Sequence, residues 1–243
     1  MMRISMMIPA TAVALTVLTG AASAQVFPDA ASTASAANVS LNLDGEKFAL
    51  GNQVYAAGHA PPAYNSRTSL PSYSKNYASP SGVTVAFSGG SATSIARSAG
   101  AAAGEVTAMG ATSLGTFSVS IGTPLGTLLS ISGSGIVSRS TFTATRGGKR
   151  TPVGYANIGK LTINAPDLGL NNKNFSGSPK VNQILFQSPD KSVTVYGNRQ
   201  VVTMAAGKPT SISVDAVAVV FSDSVIKGNS LSADVVLAAT MAN

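Results

Sequence analysis

The sequence predicts an all-β fold, an antiparallel β-sandwich-like domain behind a cleaved leader. Three observations carry that prediction. Ser, Thr, Ala, Gly and Val dominate the chain; apolar side chains recur at every second position in a succession of runs; and Gly or Pro separates the runs. Charged residues make up only 10% of the chain, against a usual ~25%, while hydrophobic residues reach 44%, enough to form a core. There is no Cys. Core area and sheet hydrogen bonds must therefore hold the fold without disulfides, and thiol catalysis and Cys-ligated metals are excluded.

The chain opens Met1-Met2-Arg3, runs apolar and uncharged from Ile4 to Gly20, and then reads Ala22-Ser23-Ala24. A short basic start, an apolar stretch and an A-x-A site are the layout of a secretory signal peptide. Residues 1–24 are therefore expected to be removed, with Gln25 as the mature N-terminus. Pro9, the scattered Ser and Thr, and the small residues that end the run argue against a membrane anchor. No later segment holds the ~18 apolar residues that a spanning helix needs, so no transmembrane helix is expected in the mature chain. The expected location is extracellular, on the cell surface or in the periplasm. Residues 25–37, with Pro28 and many Ala, Ser and Thr, read as a flexible leader. Residues 38–243 read as a single β-rich domain.

Alternation begins at Val39-Ser40-Leu41-Asn42-Leu43, and Asp44-Gly45 supplies a turn. His59 to Tyr77 reads as irregular, because Pro61, Pro62, Pro71 and Pro80 limit pairing. Val83 to Phe87 is the next strand, with Ser88-Gly89-Gly90 as its turn. Ala92 to Ala111 is Ala-rich, but its Ser, Thr and Gly favour strand over a long helix. Leu114–Ile121, Leu128–Thr145, Val153–Asn164, Val181–Gln187, Ser192–Tyr196, Val201–Ala205, Ile212–Phe221 and Leu231–Ala239 complete the set. The buried faces are expected to hold Leu41, Val85, Phe87, Phe117, Val119, Ile163, Val217, Val219 and Val236. Leu114-Gly115-Thr116-Phe117-Ser118-Val119-Ser120 is echoed by Ile158-Gly159-Lys160-Leu161-Thr162-Ile163-Asn164. Ile95-Ala96-Arg97-Ser98 is likewise echoed by Val137-Ser138-Arg139-Ser140, which hints at a duplicated strand pair.

Catalytic chemistry finds little support. His59 is the single histidine, and any Ser-His-Asp triad would need it. Ala111-Thr112-Ser113-Leu114-Gly115 departs from a G-x-S-x-G elbow at its first position, and a strand follows it rather than a helix. Most carboxylates fall at turns. Asp215 and Asp234 instead interrupt apolar runs, where they are either a facing acid–base pair or residues on a wet strand face. Gly133-Ser134-Gly135 lacks the Gly-Lys-Ser/Thr ending and the helix of a phosphate loop. No calcium loop or His-rich metal motif occurs. The expectation is a protein without catalytic residues, metal or cofactor.

Binding has two candidate regions. Tyr55, Tyr64, Tyr73 and Tyr77 gather four of the six tyrosines around His59 and the prolines. They form either a surface for sugars or peptides or an aromatic cover over one end of a sheet. Arg146-Gly147-Gly148-Lys149-Arg150 is the one dense basic cluster in a chain of net charge +7. It is either a contact with an anionic surface or a solvated hairpin tip. Nucleic acid is not an expected partner, since the broad basic face with interleaved aromatics is missing.

Gly58-His59-Ala60-Pro61-Pro62-Ala63-Tyr64-Asn65, Ile158 to Ile163, Ile184-Leu185-Phe186-Gln187-Ser188-Pro189, Ala216 to Val219 and Asp234 to Ala238 together resemble the choice-of-anchor P group of bacterial exported proteins. The resemblance spans roughly Val39 to Ala239. It implies an exported, often surface-attached β-domain of unknown activity, with no catalytic residues to carry over. Met241-Ala242-Asn243 contains no LPxTG sorting motif, so covalent anchoring is not expected. The leading expectation is an exported, non-enzymatic structural or adhesive protein, touching cell-surface polysaccharide or associating with itself through sheet edges. A secreted glycan- or surface-binding module is the alternative, and an outer-membrane β-barrel the second alternative.

Overall fold

The alternating runs pair as antiparallel strands in two open sheets. The computed structural model describes residues 30–43, 45–60, 62–78, 80, 82–99, 105–145, 147–166, 169–226 and 229–243. The expected signal peptide, Asp29, Asp44, Pro61, Arg146 and Asp167 lie outside the described residues. Strands β1 (Ala30–Leu43), β2 (Glu46–Ala49), β3 (Ala56–Ala60), β4 (Asn65–Leu70) and β5 (Tyr73–Ala78) form the first part of the chain. They are followed by β6 (Thr84–Gly89), β7 (Ala92–Ala99), β8 (Glu105–Thr123), β9 (Gly126–Thr145) and β10 (Arg150–Ala165). The chain continues through β11 (Leu170–Gly177), β12 (Gln183–Gln187), β13 (Val193–Ala205), β14 (Lys208–Ile226) and β15 (Asn229–Ala242). One sheet runs β12-β13-β14-β15-β1, with β2 and β3 both on β1. The other runs β11-β10-β9-β8, with β6 (carrying β5) and β7 (carrying β4) both on β8. The sandwich-like all-β expectation therefore holds. The sheets end in edge strands rather than closing into a barrel, and their shared interior is apolar.

Several local expectations need correction. The expected flexible leader overlaps β1, which starts at Ala30: Ala30, Ser32, Ala34, Ser35, Ala36 and Ala37 are all buried. Small side chains that look like a loose tail in sequence here fill a narrow inter-sheet gap. The Pro/Tyr stretch contributes β3, β4 and β5, because its prolines fall between the strands. Ser88-Gly89-Gly90 does not reverse the chain. Gly89 lies opposite Phe117 and Ala92 opposite Leu114, so β6 and β7 follow one another along β8. Eight of the nine expected core residues are buried, whereas Val236 is half-buried, and Val235 and Leu237 point inward instead.

The Val236 error exposes an organising feature. In the β8–β10 sheet the inward residues step by three, not two, at one level: Leu114 to Phe117, Gly133 to Ile136, Ile158 to Leu161. The residues stepped over, Gly115, Gly135 and Gly159, align across the three strands and skip the regular pairing. Gly135 adopts φ +64°, a conformation open to Gly at little cost. The other sheet does the same at Ala36, Ala238, Ala216 and Asn198, again aligned and again without a regular pair. Ala238 and Asn198 have φ 51° and 52°. These bulge-like rows explain the sequence echo. Leu114 and Ile158 both face Ile136, Phe117 and Leu161 both face Gly133, and Val119 and Ile163 both face Ile131. The similar heptapeptides are two strands fitted to opposite edges of the same central strand.

The rows divide the interior into two halves. On one side lie large side chains, among them Phe87, Phe117, Ile121, Ile131, Leu161, Phe221 and Leu237. Phe117 fits because Gly133 has no side chain: a Cβ there would sit 3.0 Å from the ring. The other side also holds Leu114, Ile136, Phe142, Ile158 and Ile212, but where β1 meets β7 and β8 the gap is lined by Ala30, Ser32, Ala34, Ala96, Ala108, Gly110 and Thr112. A Cβ on Gly110 would lie 3.0 Å from the Met241 carbonyl oxygen and closer still to that of Thr33. The two backbones thus approach well inside the ~10 Å usual for stacked sheets. Hydroxyls here bond within the gap, Ser94 to Thr112 at 3.1 Å and Ser32 Oγ to the Met109 carbonyl at 2.9 Å.

Candidate binding surfaces

The five residues singled out around the prolines take three different positions. Tyr73 and Tyr77 lie on one face of β5 and pack against the core rim. The Tyr73 ring lies 4.8 Å from that of Phe87 and over Gly89, where a Cβ would collide with it. Its hydroxyl is buried without a partner, and burial pushes its pKa up to about 12. Tyr77 stacks on Phe48 at 4.2 Å, joining β5 of one sheet to β2 of the other. Tyr64 lies flat on Gly58, and its hydroxyl is 2.8 Å from Ser32 Oγ. Burial raises the Tyr64 pKa, against the hydrogen bond that lowers it. Tyr55 and His59 are exposed, with His59 on β3 opposite Ala31.

Tyr64 borders a depression of about 570 Å³ on the outer face of the β8 sheet. Arg97 from β7 and Arg139 from β9 flank it, with Met109 of β8 between them, and Asn65, Thr107 and Thr141 add polar groups. No carboxylate lines it among the described residues. The two arginines stand two strands apart on one face, since Arg97 lies opposite Met109 and Arg139 opposite Ala111. Sequence reasoning passed over both as binding residues. Their signal was the echo Arg97-Ser98 and Arg139-Ser140, which places like residues on strands that share β8 as neighbour.

Gly147, Gly148 and Lys149 of the basic cluster lie in the turn between β9 and β10, and Arg150 opens β10. Lys149 and Arg150 are exposed, and the turn is tied by Thr145, whose Oγ1 accepts the Lys149 N–H at 3.2 Å. Arg150 Nη1 donates to the Pro209 carbonyl at 3.3 Å, and Lys208 Nζ lies 3.9 Å from where a Gly148 Cβ would be. The turn therefore meets the β13–β14 hairpin, a neighbour remote in sequence.

Asp215 and Asp234, the carboxylates that interrupt apolar runs, share one guanidinium. Arg199 Nε is 2.8 Å from Asp215 Oδ2, and its Nη2 is 3.6 Å from Asp234 Oδ2. Lost hydration raises the Asp215 pKa, because it outweighs the pull of Arg199, and the charge of Asp234 adds to the rise. For the more exposed Arg199, burial opposes the charge but its carboxylate partners prevail, and its pKa rises. Asp234 also borders a groove of about 600 Å³ with Asn42, Lys47 and Phe48. The Oδ1 atoms of Asn42 and Asp234 are buried there without partners.

Among the described residues no group of three or more His, Asp or Glu side chains could hold a metal ion, and no helix is long and apolar enough to cross a membrane. No protein-family model matches the chain, and no curated protein matches it either.

Proposed function

We propose that the chain is an exported, non-enzymatic adhesive protein of the cell surface, and that the Arg97–Arg139 depression holds an anionic surface polysaccharide. The observation that carries this reading is the pair of guanidiniums on one rigid sheet face, with polar side chains and Tyr64 around them and no carboxylate in the lining. Guanidinium forks match carboxylate and sulfate oxygens, and spaced cations on a fixed sheet suit a repeating polyanion. Isothermal titration with a uronate-containing polysaccharide tests it. The double variant Arg97→Gln with Arg139→Gln should bind at least tenfold more weakly, and added salt should weaken the parent protein. Equal binding of a neutral glucan, or unchanged affinity in the variant, refutes the reading. Fractionation tests export, since intact protein confined to the cytoplasm would contradict it.

A second reading is self-association through sheet edges. The outer edges of β11 and β12 pair with no strand among the described residues, which leaves main-chain groups open to another chain. Sedimentation velocity would show a concentration-dependent larger species, and a single monomer peak at all concentrations rejects it.

A further inference from the structure

The β13–β14 hairpin ends in a finger that leaves the sandwich. Every residue from Val201 to Lys208 is exposed, so both faces of the two-stranded end meet solvent. Val201, Val202 and Met204 sit here at 56%, 40% and 55% exposure. At the base of the finger the Gln200 side chain lies on Gly154 of β10. Val201, Val202 and Met204, three of the large hydrophobic side chains left exposed among the described residues, thus sit together on one two-stranded end. Single exposed apolar residues mean little, but such a gathering marks a contact surface.

Cations frame the finger. Lys208 is in its turn, and Lys149 and Arg150 come from the adjoining β9–β10 turn, held by the Arg150 bond to Pro209. Strands β9 and β10 carry no carboxylate, and Glu105, opposite Thr145, belongs to β8, one strand beyond β9 from the finger. Arg199 at the base of the finger is already paired with Asp215.

From this juxtaposition we propose that the finger docks on the surface of an anionic lipid bilayer, with Lys208, Lys149 and Arg150 at the headgroups and Val202 and Met204 among them. A soluble polyanion would use the cations but leave the apolar side chains in water. A bilayer interface satisfies both, because anionic headgroups attract the basic residues while the boundary region takes up apolar ones. The hairpin suits a shallow site: β13 and β14 satisfy each other's main-chain groups up to the Ala205–Lys208 pair, and deeper insertion would strand its open edge.

Co-sedimentation of the purified protein with vesicles tests the proposal. Vesicles of phosphatidylglycerol mixed with phosphatidylcholine should retain the protein at least tenfold better than phosphatidylcholine alone. Val202→Asp with Met204→Asp, and separately Arg150→Glu with Lys208→Glu, should each cut retention at least tenfold while leaving the circular dichroism spectrum unchanged. Arg97→Gln with Arg139→Gln should leave retention intact, which separates this site from the polysaccharide depression. Absence of binding to the anionic vesicles overturns the proposal. So does full retention of the Val202→Asp, Met204→Asp variant, which would reduce the site to plain charge attraction. A dimer that disappears in that same variant, without vesicle binding, would make the finger an interface between copies.

Discussion

Replacing Phe117 by Ala tests the large-residue half of the interior directly. Phe117 is 4% exposed and lies in the row Phe117–Gly133–Leu161. Removing the ring leaves a hole beside a glycine, which has no side chain to swing in, and between paired strands that cannot collapse independently. The cost should therefore fall in the usual Phe→Ala range, about 3–5 kcal/mol. For a domain of this size that lowers the melting temperature by roughly 6–20 °C. Ser118→Ala, one residue along on the exposed face, is the control and should stay within about 0.5 kcal/mol. Leu161→Ala should couple to Phe117→Ala by roughly 0.5–3 kcal/mol, since both side chains border Gly133. Urea unfolding followed by far-ultraviolet circular dichroism reads the parent, the three single variants and the Phe117→Ala, Leu161→Ala double variant, as the chain has no Trp to report on. A loss below about 1 kcal/mol in Phe117→Ala, or equal losses in Phe117→Ala and Ser118→Ala, would refute the assignment of inward and outward faces.

Three further outcomes are expected. Tyr73→Phe removes a buried hydroxyl that has no partner and should be neutral or stabilising by up to ~1 kcal/mol; a thermal melt lowered by several degrees would show that the hydroxyl is bonded. Gly110→Ala forces a methyl against the Thr33 and Met241 carbonyls and should cost about 1–3 kcal/mol, so an unchanged melt would mean that the sheets stand further apart. Asp215 has a raised native pKa, so the native state holds its proton more tightly than the unfolded chain does. This group's contribution to stability therefore falls as pH rises from its ordinary value, near 3.8, through the raised native value; the pH dependence of unfolding should flatten across that window in Asp215→Asn, and an identical dependence in the two proteins would contradict the shift.

The strands themselves were legible because period-two patterning is written into residues such as Val83 to Phe87 and Leu114 to Ile121. What the pattern could not convey was its interruption. The run Leu231–Ala239 offers Val236 for the buried face as readily as Val235 or Leu237, and the break at Ala238, φ 51°, past which Thr240 and Ala242 are the buried residues, is announced by nothing in an alanine. The start of β1 was hidden for a related reason, since a strand that packs at close range needs Ala and Ser, the composition of a tail. The site residues were legible only as types. Tyr73 and Tyr77 could be read as core cover or platform, and pairing with Phe87 and Phe48 across the fold decides their surroundings. The meeting of Lys149 and Arg150 with Lys208 depends on two hairpins far apart in sequence.

The aligned rows have a consequence for how the chain finds its register. Strands of Ser, Thr, Gly and Val as long as β9, with 20 residues, are easy to mis-pair. A shift by two residues restores every side chain to its proper face, and only a shift by one is punished. Gly115, Gly135 and Gly159 remove that degeneracy. Were β9 to slide by two against β8 and β10, its break would no longer meet theirs, and side chains between the old and new break points would point the wrong way. Ala36, Ala216, Ala238 and Asn198 set the same condition in the other sheet. The break thus works like the notch of a key, admitting one alignment from a sequence whose simple alphabet would otherwise permit several.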